Sequence, residues 1–180
     1  MERSLTHIAL FAALVAILGL LPQISLAAGV PITAQSLGIM LCGTVLGARR
    51  GALAVLLFLA LVAAGLPLLS GGRGGIGVFA GPSFGFLIGF PVAAFVAGWI
   101  VQRTTLPLGF AAGAGAVIGG IGVLYLFGIP GMALILKKSL AEASFIAIAY
   151  LPGDVLKAVL AGFATQAIAR MRPGSLLSRA

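Results

Sequence analysis

The chain has 180 residues, 61% of them hydrophobic and 8% charged, with a formal net charge of +8. A soluble domain carries roughly a quarter of its residues charged, so this composition excludes a water-covered surface and points to an integral membrane protein. The eleven Lys and Arg residues stand singly or in pairs between apolar runs, a pattern of membrane topology rather than of a nucleic-acid-binding stripe.

A bilayer-crossing helix takes about 20 mainly apolar residues. In chain order, helices are predicted over about 5–21, 36–48, 52–69, 83–101, 106–127 and 154–168. The expectation is a single all-α membrane domain, 1–180, built as a six-helix bundle. The first segment has a rival reading, a signal peptide cleaved near Ser25-Leu-Ala-Ala28. Its apolar run is long for one, and removing it would leave five spans. The second and sixth segments are short and follow proline-broken sequence, a feature of helices that flank binding cavities. Long irregular connections are expected over 22–35, 70–82 and 128–153.

With six spans, both termini share one side. If that side is the cytoplasm, the inside carries Arg3, Arg49, Arg50, Arg103, Arg170, Arg172 and Arg179, and the outside only Arg73, Lys137 and Lys138. This asymmetry sets the orientation. It places the long connections outside, with very short inner loops such as Arg49-Arg50-Gly51.

Glycines recur four apart at Gly43/Gly47, Gly81/Gly85/Gly89, Gly109/Gly113 and Gly115/Gly119. Such spacing lets helix backbones approach closely in lipid. The first helix carries two interleaved alanine pairs instead, Ala9/Ala13 and Ala12/Ala16. They serve either packing within the bundle or a smooth surface for another membrane protein.

Groups for catalysis are scarce. The acids are Glu2, Glu142 and Asp154, with one His (His7) and one Cys (Cys42). No metal cluster or Ser-His-Asp set assembles from these. The loop Gly71-Gly-Arg-Gly-Gly-Ile-Gly77 lacks the phosphate-loop lysine pattern. Its glycines can lie close over a ligand, and Arg73 can meet a carboxylate or stand solvated. Gly81-Pro-Ser-Phe-Gly85 opens the fourth helix, where Ser83 and the free amides favour a polar group. In Val30-Pro-Ile-Thr-Ala-Gln35, Thr33 and Gln35 either cap the second helix or hydrogen-bond a small molecule.

Leu151-Pro-Gly-Asp-Val-Leu-Lys157 sets an acid and an amine three residues apart. Asp154 at a helix start can be a cap, and Lys157 can snorkel to the interface. Ionisable groups within a span cost about 2.5–3.5 kcal/mol on insertion scales. Spaced i and i+3, the two share a face, which favours one ligand cavity holding a carboxylate by the amine and N–H groups by the acid.

Taken in order, Val30–Gln35, Leu46-Gly47, Gly65-Leu-Pro67 with Gly71–Gly75, Gly81-Pro-Ser-Phe-Gly85-Phe-Leu-Ile-Gly-Phe90 and Leu151–Lys157 resemble the BioY family. These are biotin-binding S components of energy-coupling factor (ECF) transporters. Phe84 departs from the family's tendency to glycine there. The resemblance implies a six-helix S component of the bacterial cytoplasmic membrane, neither an enzyme nor a cofactor protein. It implies a biotin carboxylate on Lys157 and a ureido N–H on Asp154. Gln35, Thr33 and Arg73 follow as lid contacts, and Ser83 as a further ligand contact. It also implies that Ala9, Ala12, Ala13 and Ala16 meet a transmembrane coupling subunit, which with ATPase subunits supplies the energy. The alternatives are an S component or lone carrier for another carboxylate-bearing vitamin, a membrane enzyme, and a purely structural subunit.

Overall fold

Where water is absent, backbone polar groups must be satisfied within the segment itself, and long apolar runs therefore form helices. The computed structural model describes residues 2–23 and 30–179, without the side chain of Arg3. The Ser25–Ala28 cleavage reading and much of the expected 22–35 connection lie outside the described residues. Eight α-helices follow: α1 (Glu2–Gly19), α2 (Gln35–Leu46), α3 (Ala48–Ala63), α4 (Phe84–Arg103), α5 (Leu108–Val117), α6 (Leu124–Leu136), α7 (Leu140–Ile148) and α8 (Leu151–Met171). A 3-10 turn, Ile76–Ala80, precedes α4. A π-helical segment, Ile118–Val123, joins α5 to α6.

The bundle is organised around α2 and α4. Helix α4 packs on α2, α3, α5 and α6, while α8 packs on α5 and α2, and α1 on α3 and α2. Nearly every residue of α2 is buried. A helix apolar on all sides is one enclosed by protein, so its 12 residues are sheathed by neighbours rather than by lipid. Glycine permits the closest approach between α4 and α6. A Cβ on Gly131 would sit 2.5 Å from the Cα of Gly85, and one on Gly85 would sit 2.9 Å from the Cα of Gly131.

Two helices are long and apolar enough to cross a bilayer, Phe84–Arg103 and the continuous Leu108–Leu136. Helices α7 and α8 pass that test together, bent by 57°. Ser4–Gly19 and Gln35–Leu46 are apolar but shorter. By length and composition alone, two or three helices among the described residues pass.

Three local expectations are corrected. The connection 128–153 is not irregular. Helix α6 runs on through Pro130 to Leu136, and α7 follows. A capping box starts α7: Glu142 N donates to Ser139 Oγ at 3.2 Å, and Ser139 N donates to Glu142 Oε2 at 2.8 Å. Arg49 and Arg50 are not a loop but the first turn of α3, after a break at Gly47 alone. Helix α8 begins at Leu151, with Pro152 in its first turn, where a missing N–H is harmless. Asp154 N already donates to Tyr150 O at 3.0 Å, so Asp154 does not cap the helix.

The basic residues divide between the ends of the bundle. Arg50 Nη1 donates to Leu177 O at 3.3 Å, and Arg179 Nε donates to Val101 O at 3.1 Å. Arg103 and Arg170 close α4 and α8 at this same end. Arg73, Lys137 and Lys138 lie at the opposite end, where α2, α4 and α8 begin.

Candidate functional site

At the end where α2, α4 and α8 start, a cavity of about 70 Å3 is lined by Thr33, Gln35, Arg73, Ser83, Asp154 and Lys157, the six candidate ligand residues. Apolar walls come from Phe86, Leu87, Phe90 and Leu124. The six residues come from 30–35, the 69–73 loop, the start of α4 and the first two turns of α8, and helix packing gathers them.

Asp154 and Lys157 anchor the polar wall. Their side chains are 8% and 14% exposed, with Nζ 2.9 Å from Oδ1. Lys157 therefore does not snorkel. Its Nζ also donates to Ser36 Oγ at 2.9 Å, and Ser36 Oγ lies 3.2 Å from Asp154 Oδ1 as donor. Tyr125 donates its hydroxyl to Asp154 Oδ2 at 2.9 Å. An ammonium has three donors and a carboxylate about four acceptor positions. Two of the donors and three of the acceptor positions are used here. Among the described residues, one N–H on Lys157 and one lone-pair position on Asp154 Oδ2 remain. A buried pair of this kind is a weak source of stability. What it provides is one positive and one negative contact at fixed places.

The remaining candidates divide by use. Gln35 spends its amide on the scaffold. Its Nε2 donates to Val15 O at 3.2 Å and Leu68 O at 3.0 Å, and its Oε1 accepts from Ser70 N at 3.1 Å and Ser70 Oγ at 3.3 Å. It ties α1, α2 and the 66–70 loop together. Thr33 Oγ1 accepts from Gln35 N at 3.2 Å, a turn at the entry to α2. Arg73 Nε donates to Ser70 O at 3.1 Å. Leu69 and Arg73 exchange two backbone bonds, 3.0 and 3.2 Å long. The turn between them is closed by Gly71 and Gly72 at φ +78° and +70°, a conformation glycine adopts without a steric cost. Ser83 Oγ is buried and has no hydrogen-bond partner among the described residues. An unpaired buried hydroxyl costs roughly 1–3 kcal/mol, and Ser83 lines the cavity. Phe84 is not part of the lining, so that departure falls outside the cavity.

Sequence reasoning missed Ser36, Tyr125 and Tyr150. Tyr150 donates its hydroxyl to Val30 O at 3.1 Å. Both tyrosine rings meet Phe86 edge-on, with centroids 6.3 Å apart in each pair. The signal was present: the chain has only two tyrosines, and a buried tyrosine needs a partner for its hydroxyl.

The alanines of α1 separate. Ala12 is 3% exposed and Ala16 packs against the core. Ala9 and Ala13 are exposed, within an apolar face that includes Leu5, Leu10 and Ile17. One pair builds the bundle, and the other is open.

The BioY family pattern matches residues 2–174. The chain is 53% identical over 189 residues to the biotin transporter BioY of Rhodobacter capsulatus, covering 99% of this chain and 100% of the relative. It is 46% identical to the probable biotin transporter BioY of Bacillus subtilis, covering 87% and 85%. In structure it is similar to the S-component for biotin from an ECF-type ABC transporter, with TM-score 0.89, 31% identity, and 94% and 92% of the two chains covered. The all-helical bundle with its buried polar cavity, the match along nearly the whole chain and these relatives converge: the chain belongs to the BioY family.

Proposed function

We propose that this chain binds biotin in the Asp154–Lys157 cavity and serves as the substrate-binding S component of an ECF transporter. The observation that carries the proposal is the buried pair with one N–H and one lone pair unspent. A biotin carboxylate takes the Lys157 N–H, and a ureido N–H donates to Asp154 Oδ2. The thioether-bearing ring system packs on Phe86 and Phe90, and Ser83 supplies the hydroxyl that lacks a partner. Arg73 and Thr33 stand at the loops over the cavity.

The relatives are named as transporters and transporter components, so the enzyme and structural-subunit readings lapse. No observation favours another vitamin over biotin. Binding alone cannot drive accumulation, because a ligand shifts equilibria only by its differential affinity. The sequence has no phosphate-loop motif, so where uptake is energised by ATP the energy enters through other chains, for which the family likeness supplies a transmembrane coupling subunit and ATPases. The exposed Ala9 and Ala13 on α1 are the proposed contact with that coupling subunit. Ala12 and Ala16 support the helix from inside the bundle. The chain lies in the bacterial cytoplasmic membrane with both termini cytoplasmic. The segregation of Arg50, Arg103, Arg170 and Arg179 to the end opposite the cavity supports this orientation, in which the cavity faces outside.

Mass spectrometry of the purified protein, released from detergent without added ligand, tests the reading. Co-purifying biotin supports it. A different retained molecule, or biotin added later that fails to bind, contradicts it.

A further inference from the structure

Helix α8 carries a second lined face, which shares no lining residue with the Asp154 cavity. Val159, Gly162, Phe163, Gln166 and Arg170 fall on it at helical spacing. Together with the start of α5 they enclose a groove of about 680 Å3. Gly113 forms part of its surface, and a Cβ there would meet no heavy atom within 4 Å. Phe110 and Phe163 flank it, 75% and 72% exposed. Gly109 N donates to Gln166 Oε1 at 3.0 Å and so ties α5 to α8 at the groove's polar end. From Val159 to Arg170 the groove follows the helix for roughly 16 Å at about 1.5 Å per residue. That is about half the 30 Å hydrocarbon core of a bilayer, the depth of one leaflet.

Charge marks one end only. Arg170 is exposed in the last turn of α8. Arg179 Nη2 donates to Leu106 O at 2.8 Å, one residue from Pro107 on the groove wall. The ion pairs among the described residues are Lys138–Glu142 and Lys157–Asp154, so neither arginine is neutralised there. The positive end of the α5 dipole and the negative end of the α8 dipole meet at this mouth, so its positive charge rests on the arginines.

From the match of an apolar slot one leaflet deep to a cationic mouth, we propose that the α5–α8 groove is a binding site for an anionic phospholipid. One acyl chain lies along Gly113 between the two phenylalanines, and the headgroup phosphate meets Arg170. Basic pockets between membrane helices bind anionic headgroups in this way. A second copy of the chain fits less well. A parallel two-fold pair through this face sets both Arg170 side chains at one depth, and like charges across an interface are costly.

The experiment is native mass spectrometry of the full chain, delipidated in neutral detergent. It is titrated with phosphatidylglycerol, with phosphatidylcholine of the same acyl chains, and with glycerol 1-phosphate. The expected result is preferential retention of phosphatidylglycerol. Arg170→Gln weakens it by about five- to tenfold, and Gly113→Phe abolishes it by filling the groove. A thermal unfolding transition like that of the wild type certifies each variant, and Arg170→Gln decides alone if Gly113→Phe does not fold. Equal retention of the two lipids, phosphatidylglycerol binding unchanged in Arg170→Gln, binding of glycerol 1-phosphate as tight as the lipid, or a dimer lost with Gly113→Phe would each overturn the proposal. None of these outcomes depends on whether the other cavity takes biotin.

Discussion

Lys157 Nζ on α8 donates to Ser36 Oγ on α2 at 2.9 Å, joining residues 121 apart in sequence across the floor of the cavity. The same hydroxyl donates to Asp154 Oδ1. Ser36 therefore bonds both charges of the site at once. Among the described residues, one N–H of Lys157 and one lone pair of Asp154 Oδ2 stay unspent.

Replacing Ser36 with Ala removes that brace without touching either charge. Biotin affinity is expected to fall by about 1.5–3 kcal/mol, the range for a hydrogen bond to a charged group, while the fold survives. Calorimetric titration measures this. An unchanged affinity would mean that Ser36 plays no part in aligning the pair.

Gln35 makes a contrasting prediction. Its amide oxygen and nitrogen are engaged with Val15, Leu68 and Ser70. Gln35→Leu leaves those buried groups unpaired at roughly 1–3 kcal/mol. The midpoint of thermal unfolding should drop clearly in ligand-free protein. A variant as stable as wild type but defective in biotin binding would make Gln35 a ligand contact instead.

The two alanine pairs separate packing from docking. Ala13 is exposed and Ala12 buried. Ala13→Asn should keep stability and biotin affinity yet reduce uptake in cells that carry the complete transporter. Ala12→Asn should lower stability by about 1–3 kcal/mol, since an amide is buried without a partner. If Ala13→Asn transports like wild type, the exposed pair is not the coupling contact.

Tyr125 donates to the second oxygen of Asp154. Tyr125→Phe keeps the ring against Phe86 and deletes one hydrogen bond to a buried carboxylate, a loss of about 1.5–3 kcal/mol for a charged group. Biotin binding and thermal stability should both weaken. An effect on neither would remove Tyr125 from the site.

Much of the site was legible because charge is rare here. Asp154 and Lys157 stand out in an apolar segment by their cost alone. Hydroxyls carry no such signature, so Ser36 and Tyr125 became visible only when α2, α6 and α8 met. Gln35 shows the reverse case. Its polarity was noticed, but its partners lie 20, 33 and 35 residues away and fix it to the scaffold. Helix positions followed the apolar runs, whereas ends depended on local chemistry. The Ser139-Leu-Ala-Glu142 capping box announces α7, yet Pro130 and the nearby glycines made that region read as irregular. The split between Ala12 and Ala13 was beyond a periodicity argument, because neighbours one apart on a helix point about 100° apart and only packing shows which side is covered.

The central claim is that the spare N–H of Lys157 holds the carboxylate of biotin. Calorimetry of biotin and biotin methyl ester against wild type and Lys157→Ala tests it as a two-by-two cycle. The account predicts that wild type binds the acid more tightly than the ester by about 1.5–3 kcal/mol, and that this difference nearly vanishes in Lys157→Ala. Equal binding of acid and ester by the wild type, or full discrimination retained without the lysine, would contradict it.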